Sequence, residues 1–208
     1  KPVDFHPKAL DFIRAQPVSI RERIGEALRN LQKGVRLGMP LSRPMREVGQ
    51  GVHELRIRSK ELTIRVFYCL GRSDTIIVFH AFEKKSQKTP VREINLARQR
   101  LQEVLDEAID PEKPVRVKTA EDLGNALGLS PAETGEMEFR SELTCELIKI
   151  IRSGSLTHAE IAKRAGTSRS RVTAIANGNT QGISTDLLIR VLSATGYRVE
   201  LRVRKAVA

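Results

Sequence analysis

The chain lacks any apolar run approaching the roughly 18 residues that a membrane-crossing helix needs, so no membrane partner is expected. Its first residues, Lys-Pro-Val-Asp-Phe-His, lack the apolar core of a secretory signal, and a cytoplasmic location is expected. Cysteine is scarce. Cys69 and Cys145 stand far apart, in neither metal nor redox spacing, and are expected to be small buried hydrophobes. No cluster of His, Cys and carboxylates suggests a metal, and no cofactor is implied. Internal repeats and low-complexity segments are absent. What is present is charge: 36 Lys and Arg against 25 Asp and Glu, a net +11 over 208 residues, with enough hydrophobic residues (40%) to bury a core.

The charge is segregated. Residues 1–109 hold 21 Lys/Arg against 13 Asp/Glu, a net +8; residues 110–146 are acidic at −5; residues 147–208 return to +8 with only Glu160, Asp186 and Glu200 as acids. Two basic modules flanking an acidic one point to polyanionic partners, and to a partner for the acidic part inside the chain itself.

Periodicity predicts a short helical turn around Pro7–Arg14 and a helix from Ser19 to Lys33, with Ile20, Ile24, Leu28 and Leu31 on one face. A Gly/Pro-rich loop (Gly34–Pro44) and a short strand near Met45–Val48 come next. Strands are then predicted at Val52–Arg58, Leu62–Leu70 and Thr75–Phe82, on connections short enough for antiparallel neighbours. A helix from Pro90 to Ala108, with Thr89 as its N-cap, closes the block. Asp110-Pro-Glu-Lys-Pro bars a continuous helix and marks the boundary. The domains expected are 1–109, a linker at 110–118, and 119–208, the last divided into an acidic part (119–146) and a DNA-binding part (147–208). After an extended Val115–Lys118, helices are predicted at Ala120–Leu127, Ala132–Ser153, Thr157–Ala165, Ser168–Ala176 and Ser184–Thr195. The alternation of Tyr197–Arg204 predicts a terminal strand.

Alternation along the first three strands sorts their side chains. His53, Leu55, Ile57, Ile64 and Val66 are expected under the helices, leaving Glu54, Arg56, Arg58 and Arg65 on an open face, with Lys84, Lys85 and Lys88 at the end of the third strand. Guanidiniums and ammoniums around one carboxylate suit RNA cleavage by the RNA's own 2′-hydroxyl. Arginine forks hold the scissile phosphate and stabilise its extra charge. A base, for which Glu54 is the candidate, takes the 2′-OH proton, and an acid protonates the leaving 5′-oxygen. A lysine crowded by cations has a depressed pKa and can serve either role. The plain alternative is a solvated polar sheet face. His80 and Tyr68, in strand interiors, are expected in the core.

Val52-His-Glu-Leu-Arg56, Ile64-Arg-Val-Phe-Tyr68 and His80-Ala-Phe-Glu-Lys-Lys-Ser-Gln-Lys-Thr-Pro90 followed by a helix resemble the HigB-type branch of the RelE/ParE toxin superfamily over residues 1–109. The resemblance implies an α+β domain, a helical hairpin on a small antiparallel sheet, acting as a ribosome-dependent mRNA endonuclease. It implies catalytic roles for Arg56, Arg65, Lys84 and Lys85, and RNA contacts from Arg58 and Lys88. Some relatives have lysine where Glu54 stands, which leaves the base open.

Leu156 to Gly178 reads as helix-turn-helix. Thr157 and Glu160 form a capping box, Gly166 permits the turn, and Ser168 caps the second helix. Ile161, Ala162, Val172 and Ile175 face inward. Arg169, Ser170, Arg171 and Thr173 point out from the start of the second helix, where bases are read. Thr157, Lys163 or Arg164, and Asn177 are candidates for phosphate contacts. The span from Ala120 to Arg204 resembles the XRE/Cro-type antitoxins that accompany HigB-like toxins. That resemblance implies a mainly α domain with a terminal strand, operator binding as a homodimer, and neutralisation of a toxin within or between chains. His158 replaces a glutamine common in that family.

The leading expectation is therefore a type II toxin and antitoxin in one chain, the carboxylates of residues 110–146 opposing the cations that otherwise hold RNA. A DNA-binding regulator with a catalytically dead toxin-like half is the alternative. A topoisomerase-directed toxin of the ParE kind is disfavoured by the Lys-Lys-x-x-Lys-Thr-Pro run.

Overall fold

The computed structural model describes residues 1–71, 74–85, 88–105 and 114–200. Its elements run β1 (Val3–Phe5), α1 (Pro7–Arg14), α2 (Val18–Gln32), β2 (Ser42–Pro44), β3 (His53–Arg58), β4 (Thr63–Leu70), β5 (Ile76–Glu83) and α3 (Val91–Leu105). They continue with β6 (Val115–Val117), α4 (Ala120–Ala126), α5 (Pro131–Ser153), α6 (His158–Ala165), α7 (Arg169–Ala176) and α8 (Thr185–Ala194).

The strands form one mixed six-stranded sheet in the order β2-β3-β4-β5-β1-β6. It departs from the expected small antiparallel sheet at one side, where β1 lies parallel to β5 and β6 pairs antiparallel with β1. Val115–Val117, from the expected linker, thus forms an edge strand of the sheet built by the first module. The expected strand at Met45–Val48 lies earlier, at Ser42–Pro44. Pro44, which has no N–H to offer a ladder, is tolerated there because β2 is an edge strand. Helix α3 starts one residue later than expected, its first turn closing on the Pro90 carbonyl.

Both faces of the sheet are covered. On one face Leu55, Ile57, Ile64, Val66, Ile76 and Val78 pack with α1 and α2 through Leu10, Ile13, Ile24 and Leu28. On the other, Phe67, Cys69, Phe79 and Phe82 pack against Ile94 and Ala97 of α3. The face predicted to be open is closed over that part. Cys69 and Cys145 are both buried, and burial raises their thiol pKa values, to about 11 for Cys69.

The first core does not stop at the module boundary. Val117, Leu123, Ala126, Leu127, Leu129 and Met137 belong to the same buried cluster as α1, α2 and the sheet. Helix α2 is clasped between the sheet and α5. Gly25 lies at that crossing, where an added Cβ would meet the tips of Met137 and Leu127. Polar contacts reinforce the seam. Glu26, 7% exposed, accepts from Arg140 Nε at 3.1 Å, Thr180 Oγ1 at 2.6 Å and Thr144 Oγ1 at 3.4 Å. Arg29 grips Glu138 with two bonds of 2.6 and 2.9 Å, and Lys33 Nζ lies 3.1 Å from the same carboxylate. Arg14 donates to the Ala126 carbonyl at 2.6 Å and Arg21 to that of Leu127 at 2.9 Å.

The helix-turn-helix helices and α8 enclose a second core of Leu147, Ile151, Ile161, Ala162, Val172, Ile175, Leu188 and Val191. Of the predicted terminal strand, residues 197–200 carry no regular structure and residues 201–204 lie outside the described residues, as do residues 110–113 of the predicted boundary.

Candidate RNA site and nucleic-acid interface

Strand register builds the first site. Three cross-strand rows stand on the face that α3 covers in part. One row aligns Arg43, Glu54, Phe67 and His80, and the next aligns Arg56, Arg65 and Phe82. Arg58 and Thr63 pair in the third, and the Lys84 N–H extends it by donating to the Thr63 carbonyl at 2.7 Å. The aromatic part of this face lies under α3 and the basic part lies beside it.

Glu54, with no exposed surface, is the hub. Its Oε2 accepts from Arg43 Nε at 2.8 Å and lies 3.9 Å from Arg56 Nε, while its Oε1 is 3.1 Å from Arg65 Nε. The Arg65 contact is an ion pair without hydrogen-bond geometry. Glu54 Oε1, Arg56 Nε and Arg65 Nε are buried with no hydrogen-bond partner among the described residues. Burial, with Arg56, Arg58 and Arg43 adding to it, pulls the Arg65 guanidinium down to about 10 against the opposing pull of Glu54. Lys84 is half-buried, and its ammonium donates to Thr89 Oγ1 at 3.3 Å. Desolvation first, then Arg65, Arg43 and Arg56, lower its pKa below the ordinary lysine value, Glu54 opposing.

The structure therefore gathers Glu54, Arg56, Arg65 and Lys84 as expected and seals Glu54 and Arg65 from solvent, where an open face was predicted. Lys85 is not part of the group; it points to solvent and pairs with Glu83 at 3.6 Å. Arg58 and Lys88 are exposed at the margin. Arg43 was missed by sequence reasoning. It sits in a stretch read as loop, and three residues of strand ending in proline carry no periodic signal.

His80 takes the core position expected for it. Nε2 bonds Glu93 at 2.8 Å, and Nδ1 lies 2.7 Å from Arg100 Nη1, which has only protons to give. The ring is thus the neutral tautomer tying α3 to the sheet. Burial, and after it Arg100, lowers its pKa from the ordinary 6.5, with Glu93 opposing; burial lowers His53 as well. The unfolded chain takes up these protons near pH 6.5 and the folded one resists them. The stabilisation is full above that value and is lost as pH falls towards the folded values. Chemical denaturation is expected to give a lower midpoint at about pH 5.5 than at about pH 7.5, and His80→Gln should flatten that difference.

In the second site the caps and the turn fall where the sequence places them. Thr157 Oγ1 accepts from Glu160 N at 3.2 Å and Glu160 Oε2 accepts from Thr157 N at 2.7 Å, completing the capping box. The bond from Thr157 N, and after it one from the Thr157 hydroxyl at 2.7 Å, hold the Glu160 carboxyl below its usual range. Gly166 has φ 63°, left-handed as the turn requires. Ser168 caps α7 by accepting from Arg171 N at 3.3 Å, and Arg169, Ser170 and Arg171 are exposed at its start. Two candidates are engaged elsewhere. Thr173 Oγ1 bonds His158 Nδ1 at 3.0 Å. Asn177 turns to the first module: its Nδ2 donates to Met39 O at 3.4 Å and its carbonyl accepts from Gly38 N at 3.2 Å.

Among the described residues the expected screening of the basic cluster by acidic residues is not observed. Glu138 and Glu142 of α5 pair with Arg29 and Lys33 on α2, because α5 packs on the helical layer and not on the face carrying Arg56 and Lys84. What reaches β3 is Gln181, another residue that sequence reasoning missed. Its Nε2 donates to Arg56 O at 2.9 Å and its Oε1 accepts from Arg58 N at 2.8 Å. This one side-chain amide extends the ladder along the β3 edge beyond β2.

A basic α/β module thus shares its core with a module that contains a helix-turn-helix. The comparisons agree. Residues 11–102 match the family model described as "Phage derived protein Gp49-like (DUF891)", a family of the RelE/HigB toxin type. Residues 127–204 match the model described as "Helix-turn-helix domain". Together the matches are consistent with a toxin–antitoxin fusion. No curated protein and no solved structure matches the chain. Among the described residues no helix is long and apolar enough to cross a membrane, and no group of His, Cys, Asp and Glu could hold a metal ion.

Proposed function

We propose that the chain is a HigB/HigA-like toxin–antitoxin protein. Its first module, about residues 1–109, is a ribosome-dependent mRNA endonuclease, silenced by the second, about 119–208, which also binds operator DNA as a homodimer and represses its own transcription. The supporting observation is the set of three adjacent cross-strand rows that brings Arg43, Arg56, Arg65 and Lys84 around one buried carboxylate. Buried donors left unpaired are rare in folded proteins, and each calls for a structural or functional reason.

In this reading the RNA 2′-oxygen attacks the scissile phosphorus and its proton passes to a base. The bond to the 5′-oxygen breaks, that oxygen takes a proton, and a 2′,3′-cyclic phosphate remains. Lys84, with its lowered pKa, is the group for proton transfer. Arg43 and Arg56, the partly exposed guanidiniums, hold the phosphate and its developing charge. Glu54, without exposed surface, is a positioning residue that fixes the arginines, and Arg65 lies beneath them. Arg58 and Lys88 extend the cationic path for RNA. No metal or cofactor is required.

The sealing of Glu54 and Arg65 also favours a second reading, a regulator whose toxin-like half no longer cleaves. Expression of residues 1–109 beside the full chain separates the two. The first reading expects growth arrest and ribosome-dependent mRNA cleavage from the soluble fragment alone. A soluble, folded fragment that cleaves nothing supports the second.

A further inference from the structure

The loop of the first module next to the recognition helix carries charge that the toxin reading leaves unused. Residues Val35 to Met39 lie against the end of α7: Gly38 and Met39 bond Asn177, and an added Cβ on Gly178 would run into Leu37. Beside this contact runs a groove of about 850 Å³ lined by Lys33, Arg36, Lys149 and Arg152 with Glu142 and Glu146. The two carboxylates are already engaged, Glu146 by Lys149 at 2.6 Å and Glu142 by Lys33 at 3.9 Å. Arg152 is exposed and donates to the Ala176 carbonyl at 3.0 Å, at the last turn of α7. Arg36 is exposed and has neither ion pair nor hydrogen bond among the described residues.

Geometry says what this loop would meet. Helix α7 has eight residues, about 12 Å of helix at ~1.5 Å per residue, and the DNA major groove is roughly 12 Å wide. A helix that presents its N-terminal Arg169–Arg171 to the bases therefore keeps its C-terminal cap within about one groove width of them, beside the flanking phosphate backbone. The loop from the toxin-like module is fixed to that cap.

We infer that the toxin-like module is part of the DNA-binding surface: Arg36, with Arg152 beside it, contacts the phosphate backbone flanking the bases read by α7. The inference rests on the operator-binding reading. It adds that the affinity for DNA belongs to the joined modules and not to the helix-turn-helix alone. A phosphate contact gives affinity without sequence preference and increases salt sensitivity.

The test uses the full-length chain. Duplexes are enriched from a random-sequence DNA pool, and binding is titrated over a range of salt concentrations. The variants are Arg36→Ala, Arg36→Glu and, as a control for net charge, Arg92→Ala on α3 across the sheet. Arg36→Ala is expected to bind every enriched duplex several-fold more weakly, with the same sequence ranking. Its log–log salt slope should be shallower by about 1, Arg36→Glu should be weaker still, and Arg92→Ala should be unchanged. Arg36→Glu binding like the parent, or Arg92→Ala losing as much as Arg36→Ala, overturns the inference while leaving the operator reading intact. If the parent chain enriches no duplex, the operator reading falls and takes this inference with it.

Discussion

Glu26→Arg in the full chain is expected to turn a harmless protein into one that arrests growth. Glu26 belongs to the toxin-like module, but its carboxylate is held by Arg140, Thr144 and Thr180 of the other module. Reversing its charge sets two guanidiniums against each other in a nearly dry seam and strands both threonine hydroxyls. Breaking a buried pair typically costs roughly 3–5 kcal/mol, a large part of the whole stability of an ordinary domain. The seam should open before the modules melt, because the first core then loses only the share from Val117, Leu123, Ala126, Leu127, Leu129 and Met137, and the helix-turn-helix core is a separate cluster. The measurement is growth on induction together with mRNA cleavage on ribosomes. Limited proteolysis should show two protected pieces where the parent gives one. Arg140→Glu should behave alike, and the double exchange Glu26→Arg with Arg140→Glu should restore part of the silence. An opened seam with no cleavage would favour the regulator reading.

In the opened Glu26→Arg chain, Lys84→Met is expected to lower the cleavage rate by about 10²–10⁴, the range for losing a proton-transfer group. Lys85→Met, one residue along, should change it little. The contrast follows from strand parity: Lys84 stands on the face of Arg56 and Arg65, whereas Lys85 faces solvent beside Glu83. The rate should also rise with pH and level off above a pKa lower than that of ordinary lysine, and Lys84→Met should lose that rise. Equal effects at the two lysines would mean that they supply only bulk charge for RNA. Glu54→Gln should lower the rate and the folding stability together, since it frees three arginines at once.

Long elements were legible in the sequence because a repeating pattern identifies them. Helix α2, strands β3 to β5 and the helices around the turn at Gly166 each fall within a residue or two of expectation, the bounds being set by caps such as Ser168 and Thr157. Strand parity put Glu54, Arg56 and Arg65 on one face correctly. Three-residue strands were legible only in part: Val115–Val117 was expected as extended, Ser42–Pro44 was expected a few residues later, and Val3–Phe5 was not read. Val3–Phe5, Ser42–Pro44 and Val115–Val117 are strands only because a neighbour pairs with them, and pairing is a property of the folded sheet. Arg43 was lost with β2 for that reason. Gln181 was lost because an amide that completes a strand edge looks like any loop polar residue. The charge tally located the acidic segment but not its target. Net charge says that Glu138 will find cations, while packing decided that they are Arg29 and Lys33 on α2 and not the cluster on the far face.

The seam along α2 has a consequence for timing. Two separately made proteins are held in check by their ratio, so the faster loss of one liberates the other. In the proposed reading the partners share one chain, and a tether of this kind holds the second surface at an effective concentration on the order of millimolar. Dilution, changes in expression and unequal turnover leave the stoichiometry at one to one. Activity would then follow how often the joint opens, a local unfolding equilibrium, and any signal that wakes this protein must act on that opening and not on supply.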